Sequence, residues 1–227
     1  MGQPRISVIH EDNHIIVVNK PPLLPTMGVA AEEPSVVSQV KQFLRDKYAK
    51  PGNVYVGVVS RLDAFTSGLL LLTKTSKAAA RMTRQFQKGE VKKSYSAILE
   101  GRLMESTGQL VDWVAKNDQR RRMEVVSEQS SGAKRAELTW EVLGWQRELT
   151  LARIELLTGR KHQIRVQFAH AGTPVMGDRK YGGAAAFSHG IALHSTRLGF
   201  VHPVRQEAMD FHVDPPEHWN LQRFTSN

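Results

Sequence analysis

Two short apolar runs, Ile6-Ser7-Val8-Ile9 and His14-Ile15-Ile16-Val17-Val18, flank the polar turn Glu11-Asp12-Asn13. Two such runs around turn residues predict an opening β-hairpin, which Lys20-Pro21-Pro22 then stops. Apolar residues at Val36, Val37, Val40, Leu44 and Tyr48 follow Pro34-Ser35 at the spacing of an amphipathic helix, and Pro51-Gly52 marks its end. Residues 54–59 and 69–72 read as two buried strands, joined by the polar segment Arg61-Leu62-Asp63-Ala64-Phe65-Thr66-Ser67-Gly68. Thr75-Ser76 can cap a second helix through about Lys88, with Ala79, Met82 and Phe86 on one face and Gly89 as its stop.

Downstream, residues 93–99, 135–142 and 149–157 look like strands, with Lys116-Asn117-Asp118-Gln119-Arg120-Arg121-Arg122 as a basic loop between the first two. A short helix is predicted over residues 161–171, with Ile164 and Phe168 facing inward. Residues 191–201 and 208–213 read as closing strands, and Pro215-Pro216 leads to a small helix around Trp219. Many short strands with few helices between them predict an α+β fold: a mixed, largely antiparallel central sheet with a few flanking helices and a catalytic cleft. No composition break suits a linker, so residues 1–227 read as one catalytic domain.

The chain of 227 residues carries a formal net charge of +9, which favours a polyanionic partner such as nucleic acid. It contains no cysteine, so disulfides, thiolate metal sites and a cysteine nucleophile are excluded together. His162, His170, His194 and His202 follow no recognised ligand spacing, and no metal is expected. No apolar run approaches the roughly 18 residues that span a bilayer, and no signal-like segment opens the chain. A cytoplasmic location without membrane contact is therefore expected.

Asp63 stands in a turn between two apolar strands, a position that suits a catalytic group held by a rigid scaffold. Its residue type alone allows a plainer role, in which an Asp before Thr, Ser and Gly bonds nearby amides and shapes the turn. Ser67 lacks the G-x-S-x-G setting of a hydrolase elbow, which disfavours a serine nucleophile.

Four segments in order resemble the RluA-type family of RNA pseudouridine synthases: Arg61-Leu62-Asp63…Thr66-Ser67-Gly68, then Lys93-Ser94-Tyr95-Ser96-Ala97, then residues 158–166 continuing to Gly177-Asp178…Tyr181-Gly182, and finally Leu193-His194…His202-Pro203. Val17-Val18-Asn19-Lys20-Pro21 is also similar to the family's opening. Ser60, Ala64 and Gln167 depart from its usual residues. The separate N-terminal RNA-binding domain of larger members is not expected here, since the family-like hairpin begins by Ile6.

The resemblance implies isomerisation of uridine to pseudouridine in structured RNA, a tRNA or rRNA stem-loop, with no cofactor. Asp63 is implied as the catalytic carboxylate, by attack on base or sugar or by taking a ribose proton. Tyr95 is implied to stack on the extruded base, Arg165 to pair with the carboxylate, Leu193 to line the base, and Arg61 to fill the space the base vacates. Lys93, Arg160, Lys161, Arg120, Arg121 and Arg122 are expected to supply an RNA-binding field. A competing expectation is an RNA-binding or RNA-folding module with little catalytic role. Size and charge suit a monomer.

Overall fold

The computed structural model describes residues 4–28, 30, 33–49 and 51–225. Along the chain run β1 (Ser7–Glu11), β2 (Ile15–Lys20), α1 (Val36–Tyr48), β3 (Gly57–Val58), β4 (Ser67–Thr73) and α2 (Ser76–Lys88). Then come β5 (Lys92–Glu100), β6 (Thr107–Asn117), β7 (Arg122–Val126), β8 (Lys134–Gln146), β9 (Leu149–Leu156), α3 (Gln163–His170), β10 (Leu193–Val201) and β11 (Ala208–His212). Among the described residues, three single-turn 3-10 helices, Arg179–Tyr181, Glu217–Trp219 and Leu221–Arg223, complete the secondary structure. The α+β class expected from sequence is the one observed.

The chain divides into two compact units. One comprises residues 1–92 and 195–214, the other residues 93–194 and 215–227. In the first, strands lie in the order β1-β2-β4-β10, with β3 also on β4 and β11 on β10. Both alternating sets of side chains along β2 and β4 are buried, so the apolar runs Ile15 to Val18 and Leu69 to Leu72 are continuous rather than alternating. Ile15, Val17, Leu69 and Leu71 pack with Met82 of α2 and with Leu198 and Phe200 of β10. Each such side chain contributes about 1.5–3 kcal/mol on burial.

Helix termini follow the sequence signals. The Ser35 hydroxyl accepts from the Ser38 amide and Ser38 answers to the Ser35 amide, a reciprocal capping box. Thr75 caps α2, and Gly89 at φ 71 closes it. The first helix stops at Tyr48, with Ala49 left-handed, two residues earlier than Pro51-Gly52 suggested.

In the second unit the order is β5-β9-β8-β6-β7, with antiparallel pairing throughout. Helix α3 covers this sheet through Val166, which packs against Val114, Met123, Ala136 and Tyr181.

Two expectations require correction. Residues 54–59 form a strand only at Gly57–Val58, and Tyr55 is half exposed. The stretch expected as a basic loop is the tip of a hairpin, because Lys116 and Asn117 close β6 and Arg122 opens β7, with Asn117 paired to Arg122. Two strands thus stand where sequence periodicity showed none.

The turn between β1 and β2 is held by charge. Asp12 Oδ1 accepts from the amides of His14 (2.8 Å) and Ile15 (2.9 Å), while Oδ2 accepts from His202 Nε2 at 3.0 Å. His202 Nδ1 accepts from the amides of Val204 and Arg205, which places the ring proton on Nε2 and makes the imidazole neutral. Burial opposes ionisation of Asp12, but amide and histidine bonds prevail and bring its pKa to about 2. Glu11, bonded by Lys47, Lys74 and Tyr48 against the same burial penalty, also falls to about 2. Burial lowers His202.

All three shifts have one consequence for pH. The unfolded carboxylates bind protons at higher pH than the folded ones, so their contribution, about 2 kcal/mol each, is present above pH 4.5 and disappears as pH falls toward 2. Unfolded His202 likewise protonates before the folded residue, so stability also declines below about pH 6.5. Urea midpoints measured from pH 7 to pH 3 should therefore fall steadily, and Asp12→Ala should flatten that decline while lowering the midpoint at pH 7. An unchanged midpoint in Asp12→Ala would refute this account of the turn.

Candidate active site

Residues 59–66 connect β3 to β4 and carry Arg61 and Asp63. The Thr66 amide donates to the Asp63 carbonyl at 3.1 Å, so Asp63 opens a β-turn with Ala64 and Phe65 at its centre. Arg61 and Phe65 are exposed, Leu62 and Thr66 are buried, and Asp63 is intermediate. Gly68, at φ 106, follows the turn; a Cβ there would overlap the Ser195 backbone, which explains why glycine ends the motif.

Lys20, the last residue of β2, is the unexpected contact of this loop. Its side chain is fully buried, and Nζ donates to the carbonyls of Pro21 (2.9 Å), Leu24 (2.8 Å) and Ala64 (3.0 Å). One ammonium thereby uses three donors to tie the loop after β2 to the turn that carries Asp63, and Thr26 Oγ1 adds a bond to the Leu62 carbonyl at 2.8 Å. Burial pulls the amine down to about 7, while the negative charge of Asp63 acts to raise it. In Asp63→Asn the amine should therefore titrate below 7. Observing the lysine Cε resonances by NMR across pH 5–10 checks this: one resonance titrating near 7, absent in Lys20→Met and displaced to lower pH in Asp63→Asn, is the expected pattern. A midpoint unmoved by Asp63→Asn would contradict it.

The second unit holds the remaining expected groups. Tyr95 lies on β5 opposite Ile154 of β9 and is 8% exposed; Leu193 opens β10 and is buried. Lys93 shares the Tyr95 side of β5, and burial lowers its pKa.

Arg165 projects from α3 and is 3% exposed, so it does not snorkel to the surface. Its Nε donates to Asp178 Oδ2 at 2.6 Å and its Nη2 to Oδ1 at 2.9 Å, a bidentate pair in which Asp178 is 1% exposed. The Tyr181 ring lies 5.0 Å from the guanidinium carbon. Tyr181 is itself fixed: its Oη accepts from the Met123 amide at 3.0 Å and shares a hydrogen bond of 2.7 Å with His162 Nδ1. The guanidinium is thus clamped on one edge and one face.

The basic residues differ in how they are held. Arg120 and Arg122 both pair with Glu124, at 3.1 Å and 3.0 Å, whereas Arg121 at the hairpin tip is exposed with φ 49. Asn117, Arg122 and Arg120 bonds lower the Glu124 pKa, so that carboxylate offsets part of the positive field expected there. Arg160 Nε donates to the Arg135 carbonyl at 2.8 Å, and Lys161 is exposed. Buried Gln163 fixes this loop by accepting from the Arg160 amide and the Thr158 hydroxyl. Gln167, one of the departures, is fully buried and donates to Asp112 at 2.7 Å.

A groove of about 400 Å³ lies over Tyr181, Val166 and His170, with Arg120 and Arg122 on its wall. Among the described residues, no group of three or more His, Asp or Glu side chains could hold a metal ion.

Sequence and fold comparisons agree on what this arrangement belongs to. A family model described as RNA pseudouridylate synthase matches residues 14–170, most of the chain. The chain belongs to the RNA pseudouridylate synthase family. The dual-specificity RNA pseudouridine synthase RluA of Pasteurella multocida is 31% identical over 220 residues, covering 93% of this chain and 94% of the relative. The ribosomal large subunit pseudouridine synthase D of Vibrio cholerae is 33% identical over 226 residues, covering 93% of this chain and 68% of the relative. Human RNA pseudouridylate synthase domain containing 4 shares the fold, with a TM-score of 0.78 at 22% identity over 96% of this chain and 92% of that one.

The chain is accordingly an RNA pseudouridine synthase, an isomerase of uridine in RNA, and not a binding module alone. Sequence reasoning named Asp63, Tyr95 and Arg165 but gave no role to Lys20, and it quoted Asp178 and Tyr181 only as motif residues. A usable signal did exist for Asp178: a buried arginine needs a carboxylate, and Asp178 follows Arg165 in the same motif.

Proposed function

We propose that Asp63 is the catalytic carboxylate, that Tyr95 and Arg165 serve the same reaction, and that the substrate is a uridine in a tRNA or rRNA stem-loop. The reading is supported chiefly by Asp63 at the head of a hydrogen-bonded turn that buried Lys20 grips through Ala64. Similarity to synthases named for dual specificity and for the large ribosomal subunit supports this substrate class.

The reaction breaks the bond from ribose to a ring nitrogen and forms one to carbon 5 of the same base. No electron or water is consumed, so an ionised carboxylate, a stacked aromatic ring and a fixed cation suffice. Asp178 holds Arg165 through Nε and Nη2, which fixes the plane of the guanidinium. Arg61, exposed two residues before Asp63, is assigned to the space left by the extruded base, and Leu193 to the apolar lining of the base. Lys93, Arg160, Lys161, Arg120, Arg121 and Arg122 supply phosphate contacts.

The protein is proposed to be a cytoplasmic monomer with one catalytic domain; no helix among the described residues is long and apolar enough to cross a membrane. The test is to incubate purified protein with total tRNA and with rRNA, then map carbodiimide-modified pseudouridines. New sites at one or a few stem-loops are expected, with conversion slowing steeply as salt rises. No new site in either pool, or conversion indifferent to salt, would overturn the substrate reading.

A further inference from the structure

The turn that carries Asp63 has an unusual outer face. Its two central residues are Ala64 and Phe65, positions where Gly, Asn, Asp or Pro ordinarily shape the backbone. Phe65 adds nothing to that shape and is 48% exposed. A second apolar side chain stands out in the same way on the neighbouring loop. Leu23 is 52% exposed and left-handed at φ 63, a conformation that costs a bulky residue energy and that glycine would adopt freely. Met27, on the same loop, is 48% exposed.

These are not three scattered residues. Lys20 Nζ joins the Leu24 carbonyl of one loop to the Ala64 carbonyl of the other, and Thr26 Oγ1 joins the first loop to Leu62. The backbone on which Leu23, Met27 and Phe65 stand is therefore fixed, while the side chains themselves face solvent. Exposed apolar groups on rigid turns beside a reactive group mark a binding surface. On a chain of net charge +9 that acts on RNA, the apolar component of the ligand is the face of a nucleobase.

We propose that Phe65, with Leu23 and Met27 on the loop tied to its turn, is a stacking platform for the nucleobase adjacent to the target uridine, and that it helps determine which RNA context is accepted. This rests on the reading of Asp63 as the catalytic group, since it places the platform two residues beyond the reacting carboxylate. Extruding the target breaks the neighbour's stacking on one side. An aromatic ring can replace that lost partner, and because every base has a π-face the preference follows stacking strength, purines before pyrimidines.

The test pairs protein and RNA changes. An RNA stem-loop found to be modified is prepared intact, and with an abasic residue immediately 5′ or immediately 3′ of the target. Each is turned over by the native protein, Phe65→Ala and Phe65→Tyr. Phe65→Ala should lower kcat/KM on the intact RNA on the order of ten-fold, chiefly through KM, while Phe65→Tyr stays near native. On one of the two abasic RNAs, native protein and Phe65→Ala should converge to within about two-fold. Equal loss in Phe65→Ala on the intact RNA and both abasic RNAs, or no loss on the intact RNA, would overturn the platform while leaving the Asp63 assignment standing. Loss of all turnover in Asp63→Asn with this same RNA verifies the reading beneath it, and retained turnover there would sink both. Equal thermal midpoints of native and Phe65→Ala protein show that a binding contact, not the fold, has been removed.

Discussion

Asp63→Asn should abolish pseudouridine formation, with a loss of at least about 10⁴-fold in kcat, the scale seen when the central group of a catalytic set is removed. The amide has nearly the same shape but neither the charge to attack a base or sugar nor the basicity to take a ribose proton. The turn should survive, because its defining bond uses the Asp63 backbone carbonyl and Thr26 holds the neighbouring Leu62 carbonyl, neither of which involves the carboxylate. RNA affinity and thermal midpoint are therefore expected to stay near native, so that the loss appears in kcat. An equally inactive but unfolded variant would mean that the side chain serves the turn, as the plainer reading of an Asp-Thr-Ser-Gly segment holds.

Asp178→Ala should be the most damaging substitution away from Asp63. It removes both acceptors of a bidentate pair whose side chains are 4% and 1% exposed, and leaves the Arg165 guanidinium buried without that counter-charge. Breaking a buried pair from one side costs about 3–5 kcal/mol. Asp178 also caps the 3-10 turn through backbone bonds to Tyr181 and Gly183 that the substitution leaves intact, so the loss should be traceable to charge. Asp178→Asn keeps one acceptor and should fall between native and Ala in denaturant midpoint and in kcat. Removing both charges in Arg165→Met with Asp178→Leu should recover much of the stability but none of the activity, a separation that a purely structural pair would not give. Full activity in that double variant would rule out a role for Arg165.

Much of this molecule is legible in its sequence, for physical reasons that particular segments make plain. The apolar run from Leu69 to Leu72 reads as a buried strand because β4 is covered on both faces, and Ser35 and Thr75 announce their helices because orphan amides need acceptors. Strands β6 and β7 escaped notice because Gln109, Val111 and Asp112 mix polar and apolar types with exposure on both faces, and because the arginine run from 120 to 122 suggests a solvated loop. At residues 54–59, valine content suggested a longer strand than pairing sustains; only Gly57 and Val58 find partners, opposite Thr73 and Leu72.

The site shows the same division. Asp63 and Arg165 carry motif signals of their own, whereas Lys20 does its work through three carbonyls that residue identity cannot reveal. The pairing of Arg165 with Asp178 spans 13 residues and a left-handed Gly177, a distance at which sequence spacing specifies no contact.

The most direct measurement is tritium release from RNA labelled at carbon 5 of uridine, run side by side with native protein and Asp63→Asn. Release by the native protein, stoichiometric with pseudouridine formed and absent in the variant, is the predicted result. Comparable release by both proteins would contradict the assignment of the chemistry to Asp63.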